Sequence, residues 1–159
     1  MLRAFAIRSL MPVAIAATAS SLFAPRATAQ DGAKKAVVGV IESMFAALAR
    51  GDTAGMRATF HPSGRVVQTG TREGKPFNRV NALDDFLRSI GSAAGRKLEE
   101  KIFDPTVQIE DNLAVAWSRY EFYVDGTMSH CGVDSYQLVN TGEGWKILHI
   151  VDTQRRPCQ

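Results

Sequence analysis

Three runs in the last third of the chain, residues 113–124, 127–139 and 145–153, alternate apolar and polar side chains and follow one another through two tight turns. Period-two alternation rich in aromatic and β-branched residues is the pattern of half-buried strands. Asp125-Gly126 is a two-residue type I′ hairpin signal pairing Val124 with Thr127, and the five residues 140–144 would pair Val139 with Trp145. A chain committed to such a meander must cover one apolar face with another layer.

The covering layer is legible upstream. Val37, Ile41, Met44, Phe45 and Leu48 recur at helical spacing over 34–50, and Gly51 stands where a left-handed cap would end the helix. Asp52 is placed to cap a second, short helix reaching Phe60, stopped at His61-Pro62 because the residue before proline disfavours helical dihedrals. Ser63-Gly64 reads as a turn and 65–69 as a short strand. Asn81 is the expected cap of a third helix carrying Leu83, Phe86, Leu87 and Ile90, with 91–95 as a flexible exit. A long strand over 97–109 is expected to break at Asp104-Pro105, since proline cannot donate to a central ladder.

The first 29 residues read as an address. Arg3 and Arg8 precede an apolar run over 10–24, and Ala27-Thr28-Ala29 is a small-residue cleavage site. The run falls short of the ~20 apolar residues that span a bilayer, so residues 1–29 are read as a secretory signal and 30–159 as one domain, secreted or periplasmic, with no membrane attachment after cleavage. The chain's 19 Lys+Arg against 16 Asp+Glu is then misleading, because Arg3, Arg8 and Arg26 leave with the signal and the remainder is balanced. With no basic stripe interleaved with aromatic residues, no nucleic-acid partner is expected; Arg155-Arg156 reads as a solvated tail.

Export to an oxidising compartment favours a disulfide between Cys131 and Cys158 over a metal pair, with free thiols or an intermolecular bridge left open. His130 and Cys131 cannot share a metal, since neighbours on a strand face opposite ways. No cluster of His, Asp or Glu stands at metal spacing, and no phosphate loop, nucleophile elbow or Cys/His protease pattern is present, so no metal and no cofactor is expected.

Counting from the turns sorts the meander's side chains. One face takes Trp117, Arg119, Glu121, His130, Asp134, Tyr136, Leu138, Leu148, Ile150 and Asp152; the other takes Tyr120, Phe122, Cys131, Val133, Ile147, His149 and Val151. A single bulge would exchange these sets. The first face is the expected pocket wall, with Trp117, Glu121, Asp134 and Tyr136 as ligand contacts.

Helix, Gly51-Asp52, short helix ending Phe60-His61-Pro62, strand, helix, then long strands ending in Gly144-Trp145-Lys146-Ile147 and Asp152-Thr153 resembles the nuclear transport factor 2-like superfamily, most closely its exported, polyketide cyclase-like (SnoaL-like) and lumazine-binding branches. The resemblance covers about residues 33–156. It implies an α+β fold in which a cone-shaped, curved antiparallel sheet packs against three N-terminal helices, the cystatin-like roll. It also implies a cavity able to hold a small molecule. The superfamily includes isomerases, dehydratases and epoxide hydrolases beside binding and scaffolding modules, and no catalytic set of theirs maps onto this sequence residue by residue.

The leading expectation is an exported module that binds a small, partly apolar molecule. An alternative is a small lyase or isomerase in which Asp152 orients His130 as general base and Arg119 stabilises a developing anion. The same three residues could equally form a buried ion-paired network that only sets strand register. A third expectation is assembly: sheet-to-sheet homodimers occur in the superfamily, and Val133, Ile147 and Val151 would supply an apolar patch.

Overall fold

The computed structural model describes residues 24–158, with side chains from Thr28 onward. Most of the segment 1–29, read above as a secretory signal, therefore lies outside the described residues. Helix α1 spans Ala24–Ala49, α2 Thr53–Thr59 and α3 Leu83–Ser92, and six strands run β1 Phe60–Arg72, β2 Lys75–Ala82, β3 Leu98–Glu110, β4 Leu113–Val124, β5 Thr127–Asn140 and β6 Trp145–Arg155. They form one sheet in the order β2-β1-β6-β5-β4-β3.

The buried face of α1 is Val37, Ile41, Met44 and Leu48. Each fully buried aliphatic side chain of this kind stabilises by about 1.5–3 kcal/mol, which outweighs the ~1 kcal/mol cost of Gly39 in the helix interior. The helix ends as expected: Gly51 has φ +66°, its N–H donates to Leu48 O at 2.9 Å and the Asp52 N–H donates to Ala47 O at 2.9 Å, the paired bonds of a Schellman cap. Asp52 then accepts from Gly55 N at 2.7 Å to start α2. Asn81 does not cap α3. The N-cap is Ala82, without a side-chain bond, while Asn81 Nδ2 donates to Val66 O at 3.3 Å inside the sheet.

The sheet is mixed. All neighbours are antiparallel except β1 and β6, which run parallel. Strand β1 is longer than the 65–69 expected and begins at Phe60, with an irregularity between Phe60 and Arg65 that absorbs Pro62. Strand β2 is unanticipated. It is a polar edge strand, Lys-Pro-Phe-Asn-Arg-Val-Asn-Ala, joined to β1 through Glu73-Gly74, both at positive φ, with Arg72 opposite Lys75. Pro76 and the charges suit an edge.

Strand β3 is broken where expected, between Phe103 and Thr106, with Asp104 at φ +50°. Asp125 (φ +53°) and Gly126 (φ +78°) make the β4–β5 turn, and Val124 pairs Thr127. The next turn is one residue tighter than expected, pairing Asn140 with Trp145. Helix α1 lies mainly across β3, and α3 packs on β1 and β2. Between helices and sheet lies the core, centred on Ile41, Met56, Tyr136, Leu138 and Ile147.

Candidate functional site

Two bulges decide which side chains enter the space beneath the helices. Phe122 pairs His130 but Tyr123 pairs Met128, so Ser129 is an extra residue on β5. Gln137 pairs His149 but Leu138 pairs Ile147, so Leu148 is extra on β6. A bulge reverses facing on one side of it. His130, Asp134, Tyr136, Leu138, Ile150 and Asp152 keep the expected inward face, but β4 is exchanged: Ala114, Ala116, Ser118 and Tyr120 are buried and Phe122 turns inward with them.

Three residues expected in the pocket wall therefore sit on the outer face, and Tyr136, though inward, is buried behind the wall and does not line it. Trp117 is 54% exposed, Arg119 pairs with Asp104 at 3.0 Å in solvent, and Glu121 accepts from the Tyr123 hydroxyl at 2.6 Å. Ile147 is fully buried rather than on the far face. His149 is on the far face, its Nδ1 3.1 Å from Gln137 Oε1.

The inward residues enclose a cavity of about 170 Å³. Its helix side is apolar: Met44, Phe45 and Leu48 of α1, Met56 of α2, Phe86 and Ile90 of α3. Its sheet side carries Glu100, Tyr120, Phe122, His130, Asp134 and Asp152. A broader depression between α2 and α3 is bridged at the surface by the Arg57–Asp84 ion pair, 2.6 Å.

Three carboxyl groups meet in this wall without a lysine or arginine among the lining residues. Asp134 and Asp152 are direct cross-strand partners. Asp134 accepts from the Tyr136 hydroxyl at 2.6 Å and from Glu100, which burial and the Asp134 charge hold well above the ordinary carboxyl range and hence protonated. Burial pushes Asp134 up to about 6, against the lowering effect of those two bonds. Burial first, then the Asp134 charge, pushes Asp152 to about 7. Asp152 is only 9% exposed, and its Oδ1 has no hydrogen-bond partner in the protein.

His130 lies further along β5. Its ring stacks on Phe122 (4.9 Å, 28°) and meets Tyr120 edge-on (5.7 Å, 83°), and its Nδ1 is 3.2 Å from Ser129 Oγ. Asp152 stands across from Asp134, four residues from His130 on β5, so the register does not make the two neighbours, as the expected dyad requires. Burial, and then Arg156, lower the imidazole to about 4, so it is neutral at physiological pH. Between His130 and Asp134, Gly132 leaves room that a side chain would fill: a Cβ there would overlap the Thr153 carbonyl and stand 2.9 Å from Tyr120 Cε1. The Tyr120 hydroxyl donates to that same Thr153 O at 3.0 Å.

Glu100 was not singled out by the strand pattern, although it occupies the apolar-face position between Leu98 and Ile102 on β3. A lone acid at such a position is the signal that marks it. Because of the Ser129 bulge, Tyr120 and Phe122 line the cavity and do not take the outer face that unbroken alternation predicts. Cys131 and Cys158 form a disulfide with Cα atoms 5.8 Å apart. Among the described residues, no three His, Cys, Asp or Glu side chains are placed to hold a metal ion, and no helix is long and apolar enough to cross a membrane.

A curved, unclosed sheet roofed by three helices over an internal pocket defines the nuclear transport factor 2-like superfamily, with its cystatin-like fold. Within it the chain belongs to the SnoaL-like domain family, whose pattern matches residues 37–152. Among solved structures it is similar to a nuclear transport factor 2-like protein with a cystatin-like fold from Novosphingobium aromaticivorans, at 12% identity over 89% of this chain and 94% of that one, TM-score 0.67. It is also similar to a nuclear transport factor 2-like superfamily protein from Salmonella enterica serovar Typhimurium, at 16% identity over 82% and 96% of the two chains, TM-score 0.63. At these identities the likeness is one of fold. No curated protein matches the chain.

Proposed function

We propose that this protein binds a small, largely apolar molecule in the cavity between α1, α3 and the sheet. The observation that carries the reading is the cavity's composition, an apolar helix side opposed to a few convergent polar groups on the sheet side, the usual build of a small-molecule site. An apolar cavity of ~150 Å³ accepts one benzene ring, so a space of about 170 Å³ suits a single ring with a short substituent. Titration of the protein with benzyl alcohol, followed by methyl NMR, should shift the Met44, Met56, Ile90 and Ile150 signals first. Shifts confined to other regions, or none at millimolar ligand, would remove the reading.

A second reading is favoured by one observation. Asp152 lines the cavity with an oxygen that has no hydrogen-bond partner in the protein, and burial pushes its carboxyl up to about 7, where a general base working at neutral pH should stand. On this reading the protein is a small lyase or isomerase in which Asp152, rather than His130, takes the proton. D152N would abolish turnover while leaving ligand affinity within a few-fold.

The secretory pattern of residues 1–29 and the Cys131–Cys158 bridge support a secreted or periplasmic location. A homodimer through the outer sheet face is supported by a cross-strand row in which Trp117, Ser135, Val151, Val67 and Val80 lie side by side, with Trp117, Val151 and Val80 exposed by 54%, 40% and 59%.

A further inference from the structure

We propose that the molecule this cavity takes is an apolar primary amine, its ammonium group seated against Asp152 and Asp134 and its hydrocarbon body against the aromatic and methionine side chains below the helices. The inference deepens the binding function proposed above and rests on it.

The wall lacks a cation and has used its hydroxyl and carboxyl donors. The Tyr136 hydroxyl and the Glu100 carboxyl both donate to Asp134, and the Tyr120 hydroxyl donates to Thr153 O. Two buried polar atoms are without a partner, Ser118 Oγ, which stands opposite Asp134 but outside the lining, and Asp152 Oδ1, an acceptor on a lining side chain nine-tenths buried. Buried carboxyl groups in folded proteins are ordinarily paired, yet no Lys or Arg lines this space. Arg155 and Arg156 act from the rim, on Tyr120 and His130 respectively. With no cation in the wall, the three carboxyl groups hold their protons to higher pH than ordinary carboxyls do. A ligand bearing an ammonium group supplies both the charge and the hydrogen-bond donors.

The rest of the cavity suits the other end of such a molecule. Phe45, Phe86, Tyr120 and Phe122 present rings, which stabilise hydrocarbon by burial and a nearby cation through their faces. A carboxylate or phosphate ligand is disfavoured by the like charge of the Asp pair. A neutral alcohol gains the apolar contacts but only one ordinary hydrogen bond, about half the strength of a charge-assisted one.

The site must then respond to pH through the groups around the Asp pair, Glu100 from β3, Tyr120 from β4 and Tyr136 from β5, with His130 further along β5 and Arg155 at the rim, while α1, α2 and α3 line it with apolar side chains. Protonation of Asp134 and Asp152 below about pH 6 removes the countercharge, whereas an alkyl ammonium stays charged.

The test is calorimetric binding of benzylamine, benzyl alcohol and benzoate to the full chain. At about pH 8, benzylamine should bind at least ~10-fold tighter than benzyl alcohol, and benzoate weakest. At about pH 5 the advantage should shrink below ~3-fold, with proton release on amine binding near pH 7. D152N should bring benzylamine to within ~3-fold of benzyl alcohol at about pH 8, and D134N provides the same comparison on the neighbouring strand. Benzyl alcohol binding as tightly as benzylamine at both pH values overturns the amine inference and leaves the binding function standing. Failure of all three ligands to bind overturns both.

Discussion

Asp134 on β5 and Asp152 on β6 stand directly opposite each other, and both line the same apolar cavity. Like charges at facing positions in a sheet destabilise it, and burial adds to the penalty on the charged forms. Both groups release their protons in the folded state only near 6 and 7, against an ordinary value of 3.8. The unfolded chain therefore gives up these protons first as pH rises. Stability contributed by the protonated pair is present below pH 3.8 and is lost as pH climbs through 6 and 7. At about 1.4 kcal/mol per pKa unit, the loss is on the order of a few kcal/mol. Urea unfolding from acid to neutral pH should show the decline, and D152N should flatten it and raise the midpoint at neutral pH. An unchanged slope in D152N would contradict the burial of the pair.

The Tyr136 hydroxyl is the short donor that holds Asp134 down, at 2.6 Å. Y136F removes that bond inside the core, and losing a bond to a charged partner costs about 1.5–3 kcal/mol. Asp134 should titrate higher in the variant, because a lowering influence is gone. Carboxyl NMR titration and urea midpoints read the two effects separately. A lower Asp134 midpoint would contradict the bond.

His130 gives the opposite pH trend. Its folded value of about 4 lies below the ordinary 6.5, so its stabilisation is present above 6.5 and is lost as pH falls toward 4. The histidine's NMR signal should remain that of a neutral ring well below pH 6.5. H130N should steepen the fall in stability with rising pH, because a compensating group has been removed. A His130 midpoint at 6.5 would mean that the ring is solvated and does not belong to the cavity wall.

Cys131 and Cys158 tie the chain's tail to β5 across 27 residues. Closing a loop of that length stabilises by about 3.5 kcal/mol in the chain-entropy account. The doubly substituted C131S/C158S chain should unfold at correspondingly lower urea. Added reductant should lower the wild-type midpoint and leave the variant unmoved.

Trp117 tests the proposed homodimer. W117K places a charge at the β4 end of the exposed row, and light scattering should report a dimer for the wild type and a monomer for the variant. Melting of a monomeric wild type at the same temperature as W117K would remove the dimer.

Local patterns were sufficient wherever a feature is decided by neighbours in sequence. The Schellman ending of α1 follows from Gly51, the start of α2 from Asp52, the broken β3 from Asp104-Pro105 and the β4–β5 turn from Asp125-Gly126. Each depends on dihedral preferences or a bond within about four residues. Strand β2 was hidden because an edge strand buries little and so carries no alternation. Its trace in the sequence is Glu73-Gly74, a two-residue turn without flanking apolar runs.

The candidate site divides along the same line. Alternation along β5 and β6 placed Asp134, Tyr136 and Asp152 on one face. The extra residue at Ser129 then put Tyr120 and Phe122 in the cavity where Trp117, Arg119 and Glu121 had been expected. A bulge adds one residue to one strand of a pair and is specified by packing across the sheet, so nothing in the local run announces it.

By itself the sequence determined the order of the helices and of every strand but β2, because periodicity and turn chemistry are local, and through that order the resemblance to the family and the cavity it implies. Only the tertiary structure decided that Glu100 from β3 meets Asp134 and Asp152, and that His130 stands apart from them. Those meetings depend on strand register, and one inserted residue reverses it.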